Sequence, residues 1–238
     1  MTNSLAGKNA IVTGGTRGIG FAIARALAAD GARIAICGRG DTSVENAVSE
    51  LSKLSKSKVV GKAADVRSST EVARFFEFVD GELGGVDVLV NNAGIGVFKS
   101  TAELTVEDWN SVVETNLSGT FFCSKQALAR MRNREGGYII NISSLAGKNA
   151  FVGGAAYNAS KFGMNGFSEA MMLDHRYENV RVSYVMPGSV DTEFVSGRGG
   201  GEWKIAAEDV ADIVLMLLKT PARTLISRVE VRPAKPKK

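Results

Sequence analysis

Residues 10–20 read Ala10-Ile11-Val12-Thr13-Gly14-Gly15-Thr16-Arg17-Gly18-Ile19-Gly20, an apolar, β-branched run that breaks into glycine and leads directly into a segment of helical period. Glycines at 14, 18 and 20 let the backbone turn sharply and approach a ligand with no Cβ in the way. A helix starting there turns free N–H groups and the positive end of its dipole towards that ligand, an arrangement suited to a pyrophosphate. Strand-to-helix turns often need a glycine for their own sake, and placement after a buried strand is what raises this cluster above that reading. The spacing is G-x-x-x-G-x-G, distinct from the general G-x-G-x-x-G fingerprint. It reads as a dinucleotide cradle formed around Gly14, Thr16, Arg17, Gly18, Ile19 and Gly20.

Outward from this point the same alternation repeats. Residues 10–13, 33–37, 59–63, 86–90, 138–142 and 180–185 are short runs in which apolar residues follow one another, as in strands covered on both faces. Residues 19–29, 44–54, 70–83, 108–132 and 156–176 carry apolar residues at three and four spacing and predict helices. A helix over 207–218, opened by the acidic Glu208 and Asp209, precedes a seventh strand over 225–231. Strand following helix throughout implies parallel pairing, so the expectation is one α/β, doubly wound domain of about seven parallel strands with helices on both faces. Ligands of such sheets bind beyond the carboxyl ends of the strands.

The 238 residues are 45% hydrophobic and include 27 glycines but only 4 prolines, which excludes a disordered or collagen-like chain. A single histidine, His175, leaves no multi-histidine metal site, and two distant cysteines, Cys37 and Cys123, make neither a zinc cluster nor a disulfide framework, so no metal is expected. Buried thiols in a reducing cytoplasm are the expectation. The net charge is +4, and Arg232, Lys235, Lys237 and Lys238 supply four positive charges. Removing those four from 29 basic residues leaves 25 against 25 acidic ones, so the body over 1–231 is neutral. Residues 232–238 read as a basic, solvated tail, and nucleic acid is not an expected partner. No leader-like or membrane-length apolar run is visible, so a cytoplasmic location without membrane contact is expected.

Further motifs follow in order along the chain. Asn91-Asn92-Ala93-Gly94 ends the fourth strand, Asn116 lies in the next helix, Ser144 follows the fifth strand, Tyr157 and Lys161 form Tyr-x-x-x-Lys, and Pro187-Gly188 closes the sixth strand. Tyr-x-x-x-Lys alone is common, and each residue alone has a structural reading as a cap, a turn or a solvated side chain. Together with Thr-Gly-x-x-x-Gly-x-Gly at 13–20, they resemble the short-chain dehydrogenase/reductase family over nearly the whole chain. The general pattern is similar to that of the 3-oxoacyl-acyl carrier protein reductase group. The resemblance implies a Rossmann-type domain and an oxidoreductase passing a hydride between NADP(H) and a carbonyl or alcohol substrate, including 3-oxoacyl thioesters.

The resemblance assigns roles to Asn116, Ser144, Tyr157 and Lys161. Carbonyl reduction needs a hydride donor, polarisation of the C=O and a proton. Tyr157 is the acid, and an ammonium one helical turn on, at Lys161, is expected to lower the phenol pKa. Ser144 donates to the substrate oxygen as negative charge builds. Ser143 rivals it by position alone, and the family spacing selects Ser144. By resemblance, Asn116 holds a water linking Lys161 to solvent, and Lys161 binds the nicotinamide ribose. Asp65 and Val66 meet the adenine, Asn92, Ala93 and Gly94 border the cofactor, and Pro187, Gly188, Val190 and Thr192 lie at the nicotinamide.

The second strand ends Cys37-Gly38-Arg39, with no acid for an adenosine ribose 2′-OH. Arg39 and Arg17 suit a 2′-phosphate, hence NADP(H), although Asp41 stands close enough in sequence to approach the ribose. Substrate identity is weakly written. Gly197, Gly199, Gly200 and Gly201 make the segment over the site flexible, and Phe98, Phe151, Val152, Phe194 and Trp203 offer an apolar wall or simply core. Carrier-protein docking in the group uses basic residues where this chain has Glu135 and Glu178. The helices around 116–131 and 162–173 carry Phe121, Phe122, Phe167, Met171 and Met172, suited to the core or to a homodimer or homotetramer contact. A nucleotide-responsive binding protein without turnover is the alternative from another class.

Overall fold

The structure is a computed structural model that describes residues 5–134, 136–194 and 201–236. Seven strands form one sheet, β1 Asn9–Thr13, β2 Arg33–Gly38, β3 Val59–Ala63, β4 Val88–Asn91, β5 Gly137–Ile142, β6 Val180–Pro187 and β7 Arg228–Val231. Their spatial order is β3-β2-β1-β4-β5-β6-β7, and every pairing is parallel. The strand order reverses between β1 and β4, which opens a crevice at their carboxyl ends, where Gly14 and Asn92 stand.

The period-two geometry of a strand divides the core. Val12, Ile36, Val90 and Ile140 pack with Ile23, Leu27, Leu51, Val214 and Leu217 on one face. Their neighbours Ile11, Ala35, Leu89 and Ile139 pack with Phe75, Phe76, Val79 and Met131 on the other. The first face is covered by helices α1 Gly18–Ala29, α2 Asp41–Leu54 and α7 Ala207–Lys219. The second is covered by α3 Ser69–Leu83, α5 Gly119–Met131 and α6 Ala155–His175, with α4 Val106–Val113 leading into α5. Among the described residues no helix is long and apolar enough to cross a membrane.

Two elements differ from the sequence reading. The helix expected over 108–132 is divided into α4 and α5 by a π-helical turn at Glu114–Ser118. Polar side chains cause the break. Thr115 Oγ1 donates to Ser111 O at 2.7 Å and Thr120 Oγ1 to Asn116 O at 2.8 Å, while the Asn116 amide turns outward to the 95–96 loop. The last strand begins at Arg228 instead of Leu225, because Leu225 and Ile226 are spent packing on the core before the chain reaches β6.

Candidate active site

α1 starts without help from its own sequence. Its N-cap, Arg17, makes no side-chain cap, and the first turn carries no acid. By contrast, Ser68 caps α3 and Thr105 caps α4 through their hydroxyls. The first N–H groups of α1 are therefore left for a ligand. Gly14 and Gly18 take left-handed backbone conformations, at φ of 62° and 54°. A Cβ on Gly20 would stand 2.2 Å from Gly14 O, so only glycine lets the loop fold back on the helix. Thr13 Oγ1 accepts from Asn92 N and Ala93 N at 3.0 and 3.1 Å, and Asn92 Nδ2 donates to Thr13 O and Gly14 O, both at 3.1 Å. The β4 motif thus braces the glycine loop through Asn92, while Ala93 and Gly94 line the cleft itself.

A cavity of about 1280 Å³ runs beyond the strand ends and is lined by Gly14, Thr16, Arg17, Gly18, Ile19 and Arg39 at one end and by Ser144, Tyr157 and Lys161 at the other. Asp65, Val66, Pro187, Gly188, Val190 and Thr192 also line it. Gly38, Gly40 and Ser43 surround Arg39, and Asp41, the first residue of α2, is not among the lining residues. Arg17 instead reaches Glu193 across the mouth, with Nη1 and Oε2 at 3.3 Å. The Asp65 carboxylate is held by Arg67 Nε at 2.9 Å, and that hydrogen bond keeps it below the usual carboxylate range. The uncapped helix start, the glycine loop against bare backbone and the polar group set around Arg39 fit an adenine dinucleotide carrying a 2′-phosphate.

The two serines have different partners. Ser143 is buried and donates to Asn165 Oδ1 at 2.5 Å, with Asn165 Nδ2 on Gly147 O at 3.0 Å. Ser144 Oγ accepts from Ala146 N at 3.1 Å and donates to Pro187 O at 3.5 Å, and it lines the cavity together with Tyr157. α6 carries Tyr157 and Lys161 on one side, one turn apart. The expected lowering of the Tyr157 pKa is corrected here. Burial pushes the phenol up, and only the Ser144 hydrogen bond acts downward. The Lys161 ammonium is itself driven down, to about 7, by desolvation. Its Nζ lies 5.8 Å from the centre of the Tyr157 ring and donates to Ile142 O at 2.8 Å.

Asn116 is fully buried outside the cavity, its Oδ1 accepting from Ile95 N at 2.8 Å and its Nδ2 donating to Ile95 O at 2.9 Å and Ser160 Oγ at 3.0 Å. Ser160 Oγ in turn donates to Tyr157 O at 2.8 Å. The side-chain amide therefore ties the π-helical turn to the helix of Tyr157. Sequence reasoning passed over Ser160, which sits inside Tyr-x-x-x-Lys at a position with no chemical demand of its own. It also passed over the tail. The stretch read as a solvated end is exposed at Arg232 and over 234–236, and its Arg232, Pro233 and Pro236 also line the cavity. Gly188 N donates to Val231 O at 2.8 Å, and Glu230 pairs with Lys148 at 2.6 Å and with Arg232 at 3.0 Å, which draws this segment alongside the site. Glu178 pairs with Arg132 and His175, at 2.8 and 2.9 Å, while Glu135, Gly197, Gly199, Gly200, Lys237 and Lys238 lie outside the described residues. Among the described residues no group of three metal-ligating side chains occurs.

Sheet order, glycine loop and the Ser/Tyr/Lys group over one cleft define a doubly wound α/β protein with a dinucleotide-sized site. The chain belongs to the short-chain dehydrogenase family, whose profile matches residues 8–202. It is 36% identical over 197 residues to the 3-oxoacyl-acyl-carrier-protein reductase FabG of Chlamydia muridarum, covering 83% of this chain and 79% of that one. A metagenomic short-chain oxidoreductase in complex with NADP superimposes with a TM-score of 0.86 at 36% identity, over 98% of this chain and 100% of the other. An alcohol dehydrogenase from the archaeon Thermococcus sibiricus, complexed with 5-hydroxy-NADP, gives a TM-score of 0.90 at 30% identity, over 97% and 99%.

Proposed function

We propose that this protein is an NADP(H)-dependent carbonyl reductase, acting on a small ketone or on the corresponding alcohol in reverse. The observation that carries the reading is a phenol and a hydroxyl, Tyr157 and Ser144, placed together in the cavity whose far end presents Arg39 and the uncapped α1. When bound there, NADPH supplies the hydride. Arg39, with Ser43 beside it, meets the 2′-phosphate, and the relatives solved with NADP and 5-hydroxy-NADP support that choice. The first N–H groups of α1 and the loop at Gly14 and Gly18 take the pyrophosphate. Asp65 and Val66 border the adenine, and Pro187, Gly188, Val190 and Thr192 border the nicotinamide end.

Tyr157 and Ser144 both address the substrate oxygen. A phenol with a raised pKa is protonated throughout the neutral range, so Tyr157 is set to give a proton to the oxygen of a reduced carbonyl. Ser144 holds that oxygen by a hydrogen bond that strengthens as charge develops. Lys161, with a pKa near neutrality, re-protonates Tyr157 or orients the ribose, and Asn116 keeps the helix of both residues in place through Ser160. The buried thiols Cys37 and Cys123 suit a reducing cytoplasm. Exposed Phe121 and Phe162, on neighbouring α5 and α6, suit a homo-oligomer.

NADPH absorbance followed against a panel of ketones, β-keto thioesters and hydroxy acids tests the proposal. Turnover is expected with at least one carbonyl, and Tyr157→Phe is expected to lower kcat by about 10² or more with NADPH binding retained. Equal kcat in the wild type and Tyr157→Phe refutes the assignment of the proton donor.

A further inference from the structure

Ser144 stands at a point where the chain has little hold on itself. It follows β5 in an extended conformation, at φ −165°, and enters a single 3₁₀ turn, Leu145–Gly147. A lone turn of that kind is too short to be made rigid by its own hydrogen bonds. The contacts of the Ser144 hydroxyl are modest, 3.1 Å from Ala146 N and 3.5 Å to Pro187 O. A donor aimed at a developing oxyanion needs a firmer seat, since it acts by being in place before the charge appears.

The seat comes from α6, through a side chain one helical turn beyond Lys161. Asn165 reaches across the segment and holds both of its ends. Its Oδ1 accepts from Ser143 Oγ at 2.5 Å, and its Nδ2 donates to Gly147 O at 3.0 Å. Ser143 is fixed to the sheet by its own N–H on Val185 O at 2.7 Å, so the amide carries that anchorage over to the far end of the turn. Gly147 is pressed against α6 at the same spot, where a Cβ would lie 2.6 Å from Asn165 Nδ2 and 2.7 Å from Lys161 O. Asn158, about two turns earlier on α6, donates to Ala146 O at 2.6 Å and to Asn149 O at 3.3 Å, and so grips only the downstream side. Asn165 joins residues on either side of Ser144. Ser143 borders the cavity too, but its hydroxyl proton is committed to Asn165 and is not free for a substrate. From this bridge we propose that Asn165, which is not among the residues lining the cavity, is a positioning residue for carbonyl reduction, setting the hydroxyl of Ser144 through Ser143 and Gly147. The inference rests on the reductase reading of the site and adds to it a residue that touches neither substrate nor coenzyme.

The experiment is a double-mutant cycle between Asn165→Leu and Ser144→Ala in the full-length chain, with NADPH and the best carbonyl of the panel. Leucine keeps roughly the volume of the amide and removes both of its hydrogen bonds. Ser144→Ala alone is expected to lower kcat about 10²-fold, the scale of one oxyanion donor. Asn165→Leu is expected to lower kcat about tenfold when Ser144 is present, with KM and the NADPH Kd within about twofold, and less than about twofold once Ser144 is alanine. A side chain that merely supports the fold, or that acts on Tyr157 and Lys161, costs the same factor in both backgrounds. That result, or an unchanged kcat in Asn165→Leu, overturns the inference and leaves the reductase reading standing. Ser143→Ala removes the other partner of the bridge and covers the case in which the leucine variant does not fold. Its loss in kcat, about threefold, must likewise vanish without Ser144, and a loss that persists there overturns the inference. Undiminished turnover in Ser144→Ala removes the role of that serine and the inference with it. No NADPH oxidation by the wild type with any carbonyl of the panel overturns the reductase reading as well.

Discussion

Lys161 is a cation enclosed by the protein, only 4% exposed, with a backbone carbonyl and no carboxylate among its hydrogen-bond acceptors. Replacing it by methionine in the coenzyme-free protein isolates the cost of that burial. The folded pKa of about 7 lies below the ordinary 10.5, so between those values the unfolded chain binds the extra proton. Stability must then rise with pH across that window, and the whole deficit is present below about pH 7. One pKa unit corresponds to about 1.4 kcal/mol, so wild type should gain roughly 2–3 kcal/mol on Lys161→Met between about pH 6 and about pH 9. Losing the donor to Ile142 O costs the variant about 1 kcal/mol at every pH, which shifts the offset but not the slope. Other titrating groups are common to both proteins and cancel in the difference. Urea unfolding at several pH values reads the difference directly, because Lys161→Met leaves most of the exposed surface, and so the m-value, unchanged. Two stability curves that run parallel from about pH 6 to about pH 9, within ~0.5 kcal/mol, would falsify the claim that this amine is charged at a cost in the folded state.

Further outcomes follow from other parts of the cavity. Arg39→Ala should raise the NADPH Kd by about 10–100-fold, the scale of one charge-assisted phosphate contact, and shift that of NADH far less; equal shifts in titration calorimetry contradict the phosphate role. Cys37 is buried and its thiol is pushed up to about 12 by desolvation, so iodoacetamide should label it only after unfolding, as mass spectrometry would show; rapid labelling of the native protein contradicts the burial. Truncation after Val231 leaves β7 complete but removes Arg232, Pro233 and Pro236 from the cavity wall, so KM for the best ketone should rise about fivefold with little loss of thermal stability. Unchanged kinetics would show that the tail only skirts the site. Gly20→Ala should abolish coenzyme binding and lower stability by about 3 kcal/mol or more, because its Cβ collides with Gly14 O; a variant that still binds NADPH normally contradicts the fold-back of the loop.

Much of the fold was legible because it follows from short-range periodicity. Continuous apolar strands such as Val88–Val90 and Ile139–Ile140 announce burial on both faces, and parallel pairing with a covering helix on each side follows. The π-helical turn was not legible, because Val113, Leu117 and Phe121 keep an apolar residue at every fourth position across the break. What divides the helix is a set of hydrogen bonds from Thr115, Asn116 and Thr120, and the Asn116 amide finds its partners at Ile95, distant in sequence. The same limit applies to ionisation. Spacing places an amine near a phenol, but the direction of each pKa depends on how much water the folded chain removes, and here burial outweighs proximity for both groups.

By itself the sequence determined the seven-stranded plan, the glycine loop and the Tyr157–Lys161 spacing, since each is written in residue type and local pattern. Only the tertiary structure decided that Ser143 turns to Asn165, that Arg17 crosses to Glu193, that Ser160 and Asn116 brace the helix of Tyr157, and that Phe98, Phe151, Phe194 and the C-terminal tail line one cavity. These are meetings between segments tens of residues apart, and they come about when the sheet order β3-β2-β1-β4-β5-β6-β7 brings the carboxyl ends of its strands to one edge.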